Sequence, residues 1–94
     1  MDLEFEWDAD KAAANVASHG VTFEEASTVF ADPLSYSVPD PRHSHDEARF
    51  AILGQSARGR LLAVFYTERG PRARIISARE ATRRERGTYE HGTF

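Results

Sequence analysis

The sequence contains no cysteine. Disulfides, thiolate zinc sites and cysteine nucleophiles are therefore excluded, and a reducing cytoplasm is permitted. No apolar run approaches the roughly 18 residues of a membrane span. The opening stretch, MDLEFEWDAD, is acidic and lacks the apolar core of a secretory signal. The expectation is a soluble protein of the cytoplasm with no membrane association. The P-loop, the dinucleotide-binding glycine fingerprint, the nucleophile elbow and the H-E-x-x-H zinc motif are all missing, so no cofactor and no metal are expected. Lysine is nearly absent too: eleven of the twelve basic residues are arginine.

What is present is an ordinary globular composition, 40% apolar and 29% charged over 94 residues. That length supports a single domain spanning residues 1–94. The net charge of −3 conceals a division. Residues 1–50 hold three basic and eleven acidic side chains, whereas residues 51–94 hold nine arginines and four glutamates. Arginine offers a planar fork that fits phosphate bidentately, so the second half reads either as a phosphate-binding face or as a solvated, ion-paired surface.

Leu3, Phe5 and Trp7 alternate with acids, the period of a half-buried strand. Asp8 can cap the alanine-rich helix that follows, and Gly20 suits its left-handed end. Thr22 and Glu25 form a capping-box pattern for a second helix, which Asp32-Pro33 terminates. Leu34 to Val38 is a short strand, and residues 39–46 form a polar, proline-bearing loop. Strands are expected around Phe50–Gly54, Leu61–Tyr66 and Ala73–Ala78, joined by short turns as an antiparallel meander. Ser77 and Glu80 resemble a further capping box, opening a last helix that runs to about Tyr89.

Four groups of residues could carry chemistry. Lys11, Asn15 and His19 recur at helical spacing and define a polar stripe, with His19 at the helix end where the macrodipole favours imidazolium. Arg69, Arg72, Arg74 and Arg79 punctuate the last two strands, while Arg83, Arg84 and Arg86 read as solvated surface paired with glutamates. Glu68 beside Arg69, with Tyr66 just before, is either a general base or a salt bridge. His43 and His45 with Asp46 lack an obvious third metal ligand and read as loop polarity.

Taken in order, residues 5–33 (FEWDADKAAANVASHGVTFEEASTVFADP), 43–70 (HSHDEARFAILGQSARGRLLAVFYTERG) and 74–90 (RIISAREATRRERGTYE) resemble the BrnT family of type II toxins. Two positions depart from that pattern: Ser18 stands where members often have a basic residue before His-Gly, and Gly87 replaces a charged residue. The resemblance implies an α+β, RelE-like fold, with two N-terminal helices and a C-terminal helix packed on a twisted antiparallel sheet of about four strands. It implies a metal-independent ribonuclease that inhibits translation, and a BrnA-like ribbon-helix-helix antitoxin as partner. Operator DNA would be met only through that antitoxin. The residues expected at the site are His19, Glu68, Arg69 and Arg79 for catalysis, with Arg69 and Arg79 on the phosphate and His19 and Glu68 sharing the proton transfers. Trp7, Lys11, Asn15, Tyr66 and Arg74 are expected to bind RNA, with Trp7 or Tyr66 as a stacking face. The competing expectation is a catalytically inactive homologue that serves as an antitoxin-binding co-repressor module.

Overall fold

The computed structural model describes residues 3–41 and 47–92. In chain order the elements are β1 (Glu4–Glu6), α1 (Ala9–His19), α2 (Phe23–Thr28) with a 3-10 turn at Val29–Ala31, β2 (Tyr36–Pro39), β3 (Arg49–Gln55), β4 (Leu61–Arg69), β5 (Arg72–Glu80) and α3 (Arg83–His91). The five strands form one sheet in the order β1-β5-β4-β3-β2. The meander β2 to β5 is antiparallel, as the short turns require, but β1 pairs parallel to β5. The sheet is therefore mixed and five-stranded, not antiparallel with about four strands. The connection from β1 to its parallel neighbour passes through most of the chain, which local turn signals cannot reveal.

Helix ends follow the sequence closely. Asp8 accepts the Lys11 N–H at 2.9 Å, and Gly20 closes α1 at φ 67°. Thr22 accepts the Glu25 N–H at 3.0 Å to start α2. The last helix starts later than the pattern at Ser77 and Glu80 predicts. β5 continues through Glu80 because β4 pairs with it as far as Leu62, and the capping box forms instead at Thr82 and Glu85.

Alternation on the strands builds two unlike faces. The first carries Ile52, Leu62, Val64, Tyr66, Ala73, Ile75 and Ala78 beneath α2, where they join Val21, Phe23, Ala26 and Val29 in the main core. Phe5, Phe30, Tyr66 and Phe50 touch in series there, with ring centroids 5.0, 5.0 and 5.6 Å apart. The second face carries a smaller cluster, Leu53, Leu61 and Ala63, packed against Tyr36, Phe65, Ala81 and Tyr89 of the α3 region. No residue of α3 is fully buried.

Polar contacts lock these layers. Glu25, only 6% exposed, receives hydrogen bonds from Arg60 Nε (2.9 Å) and Ser56 Oγ (2.7 Å), tying α2 to the β3–β4 turn. The Arg60 guanidinium holds the Glu25 carboxyl below its ordinary range against the opposing effect of burial. Asp32 accepts from the Gln55 N–H (2.7 Å) and the Tyr89 hydroxyl (2.5 Å), fastening α3 to the 3-10 turn. Gly54 is required by close approach: a Cβ there would lie 2.7 Å from Ser35 Cβ and 2.9 Å from Val29 Cγ1.

Candidate active site

The site is built where α1 meets the outer edge of β5. β1 covers that edge only along Arg72–Arg74. Beyond it, Asn15 takes over. Its Nδ2 donates to the carbonyls of Ala78 and Val21, both at 2.9 Å, and its Oδ1 accepts the Ala78 N–H at 3.0 Å. One side chain thus satisfies both backbone groups of Ala78 as a neighbouring strand would. Asn15 is 5% exposed and both of its amide hydrogens are used, so the structure shows it pinning α1 to β5.

Lys11 and His19 lie one turn before and after Asn15 and are exposed. With Ser18, Ile76 and Ser77 they line a depression of about 290 Å³ between helix and strand. A second depression, about 200 Å³, is lined by Asp40, Arg49, Phe65, Ile76 and Ser77. The two share Ile76 and Ser77, so they meet across the middle of β5.

A β-bulge decides which arginines join them. Phe65 pairs with Ser77 and Tyr66 with Ile75, which leaves Ile76 as the extra residue of β5. Strict alternation would put Arg79 on the face opposite Arg72 and Arg74. The bulge reverses the phase, and Arg72, Arg74, Ser77 and Arg79 all share the second face. Arg79 is held firmly there. Its Nη1 and Nη2 donate to the two carboxylate oxygens of Glu85 at 2.7 and 3.1 Å, and its guanidinium sits 5.4 Å from the Phe65 ring centroid. The hydrogen-bonded Glu85 pushes Arg79 above its ordinary pKa, and Arg79 in turn holds Glu85 below its own.

The expected site residues separate into two groups. Lys11 and His19 line one depression with Ser77, and Arg79 follows Ser77 by two residues on the same face of β5. Arg74 shares that face but is ion-paired with Glu6 at 2.7 Å, and Arg72 lies 3.7 Å from Glu4. The acidic first strand thus neutralises part of the basic last one.

Four of the expected site residues lie apart from this group. Glu68 pairs with Ala73 on the opposite face from Arg79 and lies five residues beyond Ala63, the partner of Arg79. That is roughly 17 Å along the strand, so the structure does not bring Glu68 and Arg79 together. Arg69 is farther still and bonds Glu47 at 3.1 Å, so it cannot share a phosphate with Arg79. Tyr66 is 8% exposed, with its ring in the aromatic row and its hydroxyl 2.9 Å from Ser37 Oγ. Trp7 packs edge-on against Phe23 at 5.9 Å. Neither ring offers a stacking surface to the arginine-bearing face. His43, His45 and Asp46 lie outside the described residues, and among the described residues no three metal-ligating side chains cluster.

Sequence reasoning missed Ser77 and Phe65. Ser77 matched a capping pattern and was given to the helix; Phe65 was one of six consecutive apolar residues with no sign of which faced the arginines.

Three helices on a five-stranded mixed sheet, with a lysine- and histidine-bearing helix set against an arginine-bearing strand, define a small α+β protein with cations on both sides of that seam. Residues 7–85 match the family model described as the ribonuclease toxin BrnT of a type II toxin–antitoxin system, and the chain belongs to that family. The fold is similar to the crystal structure of the ribonuclease toxin BrnT from Brucella abortus, with a TM-score of 0.67 at 21% identity, covering 87% of this chain and 100% of that one. No curated protein matches the sequence. Membership of a type II toxin–antitoxin family implies an antitoxin as partner. No helix among the described residues is long and apolar enough to cross a membrane.

Proposed function

We propose that the chain is a single-domain, RelE-like toxin that cleaves RNA without a metal ion and so arrests translation in the cytoplasm under stress. The observation that supports this reading most directly is that Lys11 and His19 line one depression with Ser77, beside the bulge of β5 that turns Arg79 to the face of Ser77. RNA carries its own nucleophile. The 2′-oxygen bonds to the adjacent phosphorus while the bond from phosphorus to the 5′-oxygen breaks; a base takes the 2′-proton and an acid supplies one to the leaving oxygen. His19 is the group at the site suited to proton transfer near neutral pH. Arg79 stabilises the charge that develops on the phosphorane oxygens. Lys11 holds the backbone, and Arg74 adds positive potential from the same face. Glu68 has no part in this arrangement, and Arg69 serves at most as a distant contact to the strand.

The partner in this reading is a BrnA-like ribbon-helix-helix antitoxin, through which the toxin reaches operator DNA indirectly. Arg79→Ala and His19→Ala should each relieve growth arrest on expression and lower cleavage by the purified protein by about a hundredfold or more, with the circular dichroism spectrum retained. Full toxicity in both variants would overturn the site. A second reading is favoured by one observation: Glu85 already occupies both terminal nitrogens of Arg79. In that reading the chain is an inactive co-repressor, and expression of the unaltered chain alone leaves growth and RNA intact while antitoxin binding stays tight.

A further inference from the structure

Tyr66 and Trp7 pack with the aromatic residues of the main core, whereas a third aromatic residue lies on the arginine-bearing face. Phe65 points from the centre of β4 onto the same face as Ser77 and Arg79. Its ring is half-buried and lines the depression of about 200 Å³ that Asp40, Arg49, Ile76 and Ser77 complete. The chemistry of that hollow is an apolar floor, Phe65 and Ile76, with a polar rim. A nucleobase has the complementary form: a flat π surface with hydrogen-bonding groups only at its edge.

Position adds to this. Ile76 and Ser77 belong to both depressions. A nucleotide with its base against Phe65 would leave its sugar and phosphate at Ser77, between His19 on the helix side and Arg79 on the sheet side. The Arg79 guanidinium lies over the Phe65 ring, 5.4 Å from its centroid, so it both braces that ring and brings positive charge towards the adjoining phosphate.

We infer that the Phe65 hollow is the base subsite of the site proposed above, holding one unpaired nucleobase of a single-stranded RNA next to the phosphate to be cut. The inference rests on that reading of the site for its substrate class. Stacking on a single ring is tolerant of base identity, so cleavage at this site is governed mainly by whether the base can leave its helix.

The test uses the full chain and short single-stranded RNA, with a ribose-phosphate strand of equal length lacking bases as control. Phe65→Leu keeps apolar volume and removes the ring; Phe65→Trp restores a ring. Binding of the base-bearing RNA should weaken about tenfold in Phe65→Leu and recover in Phe65→Trp, while the abasic strand binds the unaltered chain and Phe65→Leu alike. In a Trp7→Phe background, the fluorescence of the indole introduced by Phe65→Trp should be quenched by RNA with bases and unaffected by the abasic strand. That second readout stands even where Phe65→Leu fails to fold. Equal affinity of the unaltered chain and Phe65→Leu for base-bearing RNA, or equal quenching by both strands, overturns the inference. RNA that is bound through Phe65 but never cut would overturn the ribonuclease reading and leave the subsite standing. Cleavage that ignores Phe65 would do the reverse, and a chain that neither binds nor cuts RNA overturns both. Occupation of the hollow by antitoxin, seen as loss of antitoxin affinity in Phe65→Leu with RNA binding unchanged, also counts against it.

Discussion

Phe5, Phe30, Tyr66 and Phe50 touch in a row on one face of the sheet, while Arg72, Arg74 and Arg79 stand in a row on the other, beside a single half-buried phenylalanine. The first face is closed by α2 and the 3-10 turn and contributes the main core. The second is covered only at one end, by a helix that buries no residue completely. The same two-residue alternation builds both, so the difference comes from what the chain lays over them. Stability resides mainly on the first face. The second keeps its charged groups in reach of a ligand, at the cost of holding them in ion pairs while none is bound.

Removing Asn15 tests the seam between these faces and should have the largest effect on stability. Asn15→Ala strips partners from the N–H and carbonyl of Ala78 and from the Val21 carbonyl. The loss should be about 3 kcal/mol in denaturant unfolding. A change below about 1 kcal/mol would mean that water replaces the amide and that α1 is not pinned to the edge.

Tyr89→Phe tests how firmly α3 is attached. It should cost about 1–2 kcal/mol, because the hydroxyl donates to a carboxylate. The hydrogen bond to Asp32, with burial and the Asp32 charge, pushes Tyr89 from 10.0 up to about 12. A raised folded pKa contributes stability that is complete below the unfolded value and is lost as the pH climbs through the folded one. The unaltered chain should therefore lose its advantage over Tyr89→Phe between pH 10 and about 12, followed by thermal unfolding at each pH. A constant difference across that window would show that the hydroxyl is not the fastening.

Glu85→Gln separates the two roles of one residue. Glutamine keeps the helix cap but drops the charge that holds Arg79. Binding of short RNA should tighten a few fold, with stability reduced by about 1 kcal/mol or less. Weaker RNA binding would show that Glu85 orients Arg79 rather than competing for it. The smallest effect should come from Arg86→Ala. Its pair with Glu90 spans 4.0 Å and both groups are about half exposed, so unfolding should shift by less than about 0.5 kcal/mol.

Much of this architecture could be read from local chemistry. Asp8, Gly20 and Thr22 fixed where α1 and α2 begin and end, because caps involve residues only a few positions apart. The glycine turns placed the meander for the same reason. Long-range features were hidden. Nothing near β1 announces its parallel partner β5, sixty-eight residues later by the pairing of Glu4 with Arg72. Asn15 matched a solvated stripe because its partner, Ala78, is remote in sequence. The Glu25 carboxylate was expected to cap its own helix and is drawn instead to Arg60. The bulge at Ile76 mattered most for the site. One extra residue reverses the facing of everything after it, and no composition or spacing marks it. Reading β4 as uniformly apolar likewise concealed that Glu68 and Arg79 face opposite ways.

The Asn15 contact has a consequence for tolerance to change along α1. The helix packs on the core through Ala12 and is keyed to β5 by the Asn15 amide, which fits the backbone of Ala78, much as a shaft is keyed to a gear. Lys11 and His19 are four residues to either side, so their bearing depends on that key. Each residue of helix turns the chain by about 100°. A single insertion or deletion between Asn15 and His19 would leave every side chain chemically intact and swing the histidine away from Ser77. The angular setting of the helix, and not only its amino acids, is therefore part of what the sequence of α1 encodes.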